Sequence, residues 1–546
     1  MPRPKRPIGR RHVLRSPKAA TSLLAAIGMT MSCQAVAAKT LVFCSEGSPE
    51  ALNPQLVTTT TGMNAGWPMF NTLVDFVPGT TTLGPALAES WTVSDDGREY
   101  TFRLRRGVRF HANAAFQPTR DMNADDVLFS LNRQWKEDHP YHRVSGSRYD
   151  YFQDLGMSEL LQSIEKLDDY TVRIRLNRPD APFVANLAMP FNVIHSAEYA
   201  NALLRSGTPE RLDQEPIGTG PFSFTSYQKD VSVRYSAFPD YWAGRQPIDT
   251  LVFSITPNPA VRLTKLRAGE CHVMAFPNPA DVPKIEADPS LTLLKQEGFN
   301  IGYLALNTTR KPFDDVRVRR AISMGIDKAT IVEAVYQGAG VPAKNPIPPT
   351  LWSYNDAIQD YPFDPTAAQR LLLEAGYPEG FEVDLWYMPV SRPYNPNGRR
   401  VAEMIHSDLA RIGIRLKLMT DEWSQYRIKL QAGETSMALF GWTGDNGDPD
   451  NFLDVLLGCT AARIGGNNIA KWCHQGYDSL VTRAKQTLLQ SERERLYREA
   501  QEIFKTEAPW VPLAHSVVFM AARREVTGFR MDPLGRHPFE GVDLRQ

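Results

Sequence analysis

The sequence predicts an α/β protein of two or three domains, and three observations carry that prediction. The chain has 546 residues, more than one hydrophobic core serves, because cores stop growing near about 250–300 residues. From Asp364 to Leu430, strand and helix signals alternate, as they do in a wound α/β layer whose ligands sit at strand ends. Between about residues 80 and 205 a shorter series of the same signals stands apart as a compact α/β insert.

Taken in order, Lys39 to Cys44 reads as a strand leading into Ser45-Glu46-Gly47-Ser48-Pro49. A threonine run, Thr58 to Thr61, ends in Gly62 and either offers hydroxyls and N–H groups to a ligand or only turns the chain. Met69 to Phe76 has an amphipathic pattern and is expected to be a helix. In the insert, Tyr100 to Arg105 alternates as a half-buried strand, and Asn123 caps a helix with Asp126 three positions on. Tyr170 to Leu176 returns to strand. Beyond the insert, Val231 to Tyr235 and Leu251 to Ile255 alternate as strands, Val261 to Leu266 is helical up to Gly269, and Cys271 to Met274 is strand again. Asn300 to Asn307 is apolar enough to be a crossover between domains. Asp364-Pro365 opens a helix that Gly376 stops. Phe381 to Tyr387 and Ile414 to Thr420 are then strands, and Arg399 to Arg411 and Asp421 to Leu430 helices.

Two stretches carry chemistry. After the apolar run Met437 to Phe440 comes Gly441-Trp442-Thr443-Gly444-Asp445-Asn446-Gly447-Asp448-Pro449-Asp450. A carboxylate at a glycine-rich strand end suits capture of an ammonium group, against the plainer reading of a solvated acidic turn. A calcium loop fails on spacing: counted from Asp445, the sixth position is Asp450 where glycine is needed, and the twelfth is Leu456 where glutamate is needed. The second stretch is Pro389-Val390-Ser391-Arg392-Pro393-Tyr394-Asn395-Pro396-Asn397. Three prolines restrain Arg392 and Tyr394, lowering the entropy lost when a ligand is gripped, and a guanidinium so held can take a carboxylate through two parallel bonds. A surface arginine paired with a neighbour is the bland alternative.

Residues 1–38 read as a signal peptide: seven basic residues and no acidic one up to Lys18, an apolar run from Ala19 to about Met31, and small residues that put the cut before Lys39. Arg10-Arg11 leaves the twin-arginine route open beside the general one, and Cys33 lacks the preceding aliphatic residue of a lipoprotein site. The formal charge of zero conceals the mature balance: without the seven leader cations, 54 Lys and Arg face 61 Asp and Glu. A net charge near −7 disfavours a nucleic-acid or anionic-membrane partner. Four cysteines remain. Bridging Cys459 to Cys473 would stabilise by about 3 kcal/mol on the loop-entropy model, leaving Cys44 and Cys271 as the other pair. Zinc is the competing reading, without CxxC or histidine at ligand spacing. A secreted hydrolase finds neither HExxH nor GxSxG. His406, His474 and His515 are haem-ligand candidates by type alone.

The chain resembles the extracytoplasmic solute-binding proteins of ABC peptide permeases (family 5) from Lys39 to its end. The most specific pieces are Leu41 to Gly47, Tyr100 to Gly107 with Asn123 to Val127, Ile217-Gly218-Thr219-Gly220-Pro221-Phe222, Arg392 to Pro396, and Gly441 to Asp450. The resemblance implies the two-lobed periplasmic binding protein fold (type II, cluster C) with an extra α/β subdomain in the first lobe. The expected boundaries are residues 39–80, 206–306 and 515–546 for the first lobe, 81–205 for the subdomain and 307–514 for the second lobe. It implies no catalysis and no cofactor, a periplasmic monomer, and delivery of a dipeptide to inner-membrane permease subunits, with haem or a longer peptide as the alternative ligand. In such binders an aspartate matching Asp445 meets the ligand's ammonium and an arginine matching Arg392 its carboxylate. Tyr394, Trp442, Gly444 and Thr59 are expected nearby, and the family's two disulfides fit Cys44 with Cys271 and Cys459 with Cys473. A dipeptide's ends lie at most about 7 Å apart, so a fixed charge at each end rejects longer chains by stranding one buried charge.

Overall fold

The computed structural model describes residues 38–146 and 149–545; apart from Ala38, the expected signal peptide lies outside them. Residues from Lys39 onward form one compact unit. Among the described residues the main sheet has twelve strands, ten of them in one continuous path. These are β1 (Thr40–Ser45), β2 (Phe222–Gln228), β3 (Ser232–Ala237), β4 (Thr250–Ile255), β5 (Val273–Ala275), β6 (Asn300–Leu306), β7 (Phe381–Trp386), β8 (Ile414–Met419), β9 (Met437–Thr443) and β10 (Trp510–Arg523). Their spatial order is β8-β7-β9-β6-β10-β5-β1-β4-β3-β2.

β10 joins the two halves of this path. Its first half pairs antiparallel with β6, Ala305 opposite Trp510, and its second half with β5, Met274 opposite Ala521. Two shorter strands, Leu291–Glu297 and Gly340–Pro342, also pair with it. The side chains of β10 enter four buried clusters, and two of them take most. Val511 and Leu513 pack with Leu304, Ile322, Ile405 and Leu439, whereas Met520 and Ala522 pack with Leu41, Phe43, Tyr235 and Phe253. β6 is buried along its whole length, which is why its sequence reads as a continuous apolar run rather than an alternating one.

The insert folds as the local signals say. A four-stranded antiparallel sheet, Ala88–Val93, Glu99–Leu104, Thr171–Leu176 and Leu161–Asp168 in that order, is backed by the helix Ala124–Trp135. That helix opens on a capping box, with Asn123 N–H donating to Asp126 Oδ2 at 2.9 Å and Asp125 N–H to Asn123 Oδ1 at 3.0 Å. Pro365–Glu374 likewise starts where Asp364 caps it.

The expected helix at Met69 to Phe76 is instead a 3-10 turn, Trp67–Met69, followed by a strand, Val74–Phe76. Met69 to Val74 are all buried, so no solvent face exists for the apolar spacing to mark, and Val74 and Phe76 pair with Leu83–Pro85. Both disulfides expected from the family form, Cys44 to Cys271 and Cys459 to Cys473.

Three helices serve the site: α1 (Thr60–Gly66), α2 (Asp150–Asp154) in the insert, and α3 (Trp423–Ala432). The Arg392 loop reaches them across a gap in the sheet. Gly302 of β6 stands opposite Gly441 of β9, and a methyl group at Gly441 would overlap the Tyr394 ring, as one at Gly302 would overlap the Tyr394 carbonyl. Tyr336 closes the arrangement by donating its hydroxyl to that carbonyl at 2.6 Å. Gly441→Ala is therefore expected to lower stability by about 1–3 kcal/mol, the usual range for overpacking; chemical denaturation measures it, and an unchanged midpoint contradicts the glycine gap.

Candidate functional site

β9 and the Arg392 loop face the threonine run of the first segment across a narrow cavity. Thr59, Arg392, Tyr394, Trp442 and Asp445 all line it, so five of the six ligand residues expected from the sequence and its resemblance converge. Gly444 lies just outside, where a side chain would collide with Phe299 and Phe452; its part is to let those rings close over the turn.

Asp445 is buried, with 9% of its surface exposed. Its N–H donates to Asn451 Oδ1 at 2.9 Å, which Trp442 Nε1 also reaches at 2.9 Å. Its carboxylate accepts from the hydroxyl of Tyr151 on α2, and Asn451 Nδ2 donates to that same hydroxyl at 3.1 Å. Among the described residues no lysine, arginine or histidine forms an ion pair with it. Burial pushes the carboxyl up to about 7, and the Tyr151 hydrogen bond and the more distant Arg536 offset only part of that rise. The cavity thus holds a carboxylate that lacks a cation.

Arg392 is buried too, 3% exposed, and its guanidinium lies over the Trp423 ring, 5.2 Å from the centroid. Unlike Asp445 it has partners: Nη1 meets Glu46 Oε1 at 2.8 Å, and Nη2 donates to Thr61 Oγ1 at 2.7 Å, while Thr61 in turn donates to Glu46 at 2.7 Å. Burial raises the Glu46 carboxyl, but Arg392 above all, with His537 and the Thr61 hydroxyl, outweighs it and holds the group below the ordinary carboxylate range. A second pair stands beside the first. Arg427 of α3 meets Glu50 Oε1 at 3.1 Å and donates to Thr58 Oγ1, and Thr59 Oγ1 donates to Glu50 Oε2 at 2.7 Å.

Six participants escape a reading of the sequence. Glu46 and Thr61 stand inside stretches already singled out, and Asn451 follows the aspartate turn directly. Glu50, Tyr151 and Arg427 carry no local signal. The histidines do not join the cavity lining: His515 is buried with Nδ1 at 2.8 Å from the Asn300 carbonyl, and burial pulls it down to about 4. His474 caps the helix Gln475–Gln486, and His406 is exposed.

A single sheet running through two cores, with a charged cavity walled by segments from both, defines a two-lobed ligand-binding protein. Residues 82–463 match the family model described as bacterial extracellular solute-binding proteins, family 5, and the chain belongs to that family. It is 51% identical over 522 residues to the dipeptide-binding protein of Escherichia coli (strain K12), covering 95% of this chain and 97% of that one. It is 48% identical over 536 residues to the heme-binding protein A of Haemophilus influenzae, covering 96% and 98%. Among solved structures, the dipeptide-binding protein from Pseudoalteromonas sp. SM9913 in complex with Met-Leu superposes with a TM-score of 0.90 at 37% identity, covering 93% of this chain and 100% of that one.

Proposed function

We propose that this protein captures zwitterionic dipeptides in the periplasm and hands them to an inner-membrane ABC permease, binding the ammonium at Asp445 and the carboxylate at Arg392. The observation that carries the reading is the buried Asp445 carboxylate, which forms no ion pair among the described residues, in one cavity with a buried guanidinium. A free peptide amine supplies the missing charge, and similarity to two dipeptide binders supports the ligand class. The first lobe comprises residues 39–80, 206–306 and 515–546, the second 307–514, and the insert 81–205; β6 and β10 lie at or across these boundaries. The leader directs export and is cut before Lys39.

Calorimetry with Ala-Ala and with its acetylated, amidated analogue tests the reading. The free dipeptide is expected to bind and the blocked one to lose at least about 2 kcal/mol, because the acetylated end leaves the buried Asp445 carboxylate without a cation and the amidated end offers Arg392 no charge; equal affinities reject it. The haem-binding relative supports a second reading in which haem docks on this chain; a haemin titration without a shift of the haem absorbance band dismisses it.

Affinity is also expected to depend on pH. Only ionised Asp445 pairs with an ammonium, and in the empty protein its carboxyl titrates at about 7. Below that value binding must first expel a proton, so affinity falls by up to about tenfold per pH unit. Above about 8 the ligand amine deprotonates and affinity falls again. A flat profile from pH 5 to 9 contradicts the Asp445 contact.

A further inference from the structure

The two guanidinium groups on the cavity wall are built alike. Each arginine is more than nine-tenths buried, Arg392 at 3% and Arg427 at 9% exposure. Each meets one glutamate of the segment after β1, Glu46 or Glu50, and one hydroxyl of the threonine run, Thr61 or Thr58. Both line the cavity that holds Asp445. The duplication extends to charge, because each arginine is neutralised by its own glutamate and neither pair favours one guanidinium over the other as an anion site. Glu50 and Thr58 occupy Nη1 and Nη2 once each, and a guanidinium has five N–H donors, so Arg427 keeps donors for a ligand.

Their spacing gives the second group a use. The Arg392 guanidinium lies over the ring of Trp423, and Trp423 and Arg427 stand four residues apart on α3, about 6 Å along a helix axis. One further residue of extended peptide adds about 3.3–3.6 Å. The two guanidinium groups thus border one cavity with Asp445 about a helical turn apart, a separation that one to two peptide residues span. The side chain of a glutamate in the second position spans a similar distance.

We propose that Arg427 is a second carboxylate seat, taking either the terminal carboxylate of a three-residue peptide or the side-chain carboxylate of an acidic residue at the second position of a dipeptide. The proposal rests on the dipeptide reading above and sets its specificity: Arg392 measures two residues, and Arg427 admits a third residue or an acidic second one.

Calorimetry with Ala-Ala, Ala-Ala-Ala, Ala-Glu and Ala-Gln tests it, on the wild type and on the double variant Glu50→Gln/Arg427→Gln, which removes both charges and strands neither. The wild type is expected to prefer Ala-Glu over Ala-Gln by about tenfold. In the double variant that preference falls to about one, or Ala-Ala-Ala loses at least about tenfold relative to Ala-Ala. Loss of the first alone assigns the seat to acidic side chains, and loss of the second alone to tripeptides. Ratios the same in variant and wild type overturn the proposal and leave the Arg427–Glu50 pair as a tie between the two walls. Should the double variant fail to fold, Arg427→Lys keeps the charge but not the planar fork, and the same ratios are expected to shrink. If Ala-Ala does not bind the wild type at all, dipeptide capture itself fails, and this seat with it.

Discussion

Asp445→Asn is expected to yield a protein more stable when empty and far weaker at binding. The wild-type carboxylate is buried and, among the described residues, lacks an ion-pair cation, so at pH 8, above its raised pKa of about 7, the ionised form costs stability on the order of 4 kcal/mol relative to an exposed aspartate. The sign follows from the direction of the shift. A carboxyl raised on folding favours the folded state at low pH and loses that contribution as pH climbs through the folded value. Asparagine removes the penalty and can still accept the Tyr151 hydroxyl. The ligand ammonium then meets a neutral amide, and affinity is expected to fall by about 2–5 kcal/mol. Denaturation of the empty variant and calorimetry with Ala-Ala read the two effects separately. A variant that is both less stable and fully competent refutes this account of the carboxylate.

Arg392→Met is expected to damage both properties, and Glu46→Gln added to it to repair only one. Removing the guanidinium leaves Glu46, 3% exposed, without its cation, at a cost of roughly 3–5 kcal/mol of stability. The same change removes the carboxylate's partner, and the stranded Glu46 repels it, so affinity falls by about 2–5 kcal/mol or more. In the double variant neither charge remains and most of the stability returns, because an ion pair exchanged for uncharged groups of similar volume is often close to neutral. Binding does not return. Restored affinity in the double variant would show that Arg392 serves only to hold the walls together.

How much of this was legible in the sequence depends on the range over which each feature is encoded. Caps are local: Asn123 with Asp126 and Asp364 with Pro365 state their helices within a few residues, and the structure follows them. The fold class follows from the alternation between Asp364 and Leu430, and the two cores from chain length. The stretch at Met69 defeats periodicity because burial on every side leaves no polar face to mark a repeat. The charged residues of the site were legible by type and setting, a carboxylate after a glycine-rich strand end and a guanidinium between prolines. Their partners were not. Tyr151 reaches Asp445 across 294 positions and Glu46 reaches Arg392 across 346, and no local pattern encodes a contact at that separation. The prolines of the Arg392 loop hid one further fact, that the guanidinium is satisfied before any ligand arrives.

The position of β10 has a consequence for biogenesis. Both halves of the main sheet wait for one late segment: until the ribosome has released residue 523, β6 and β5 have no strand to join them and Val511 and Met520 are missing from their respective cores. Neither half can finish on a nascent polypeptide. Committed folding of both halves is therefore expected only once nearly the whole chain has been made.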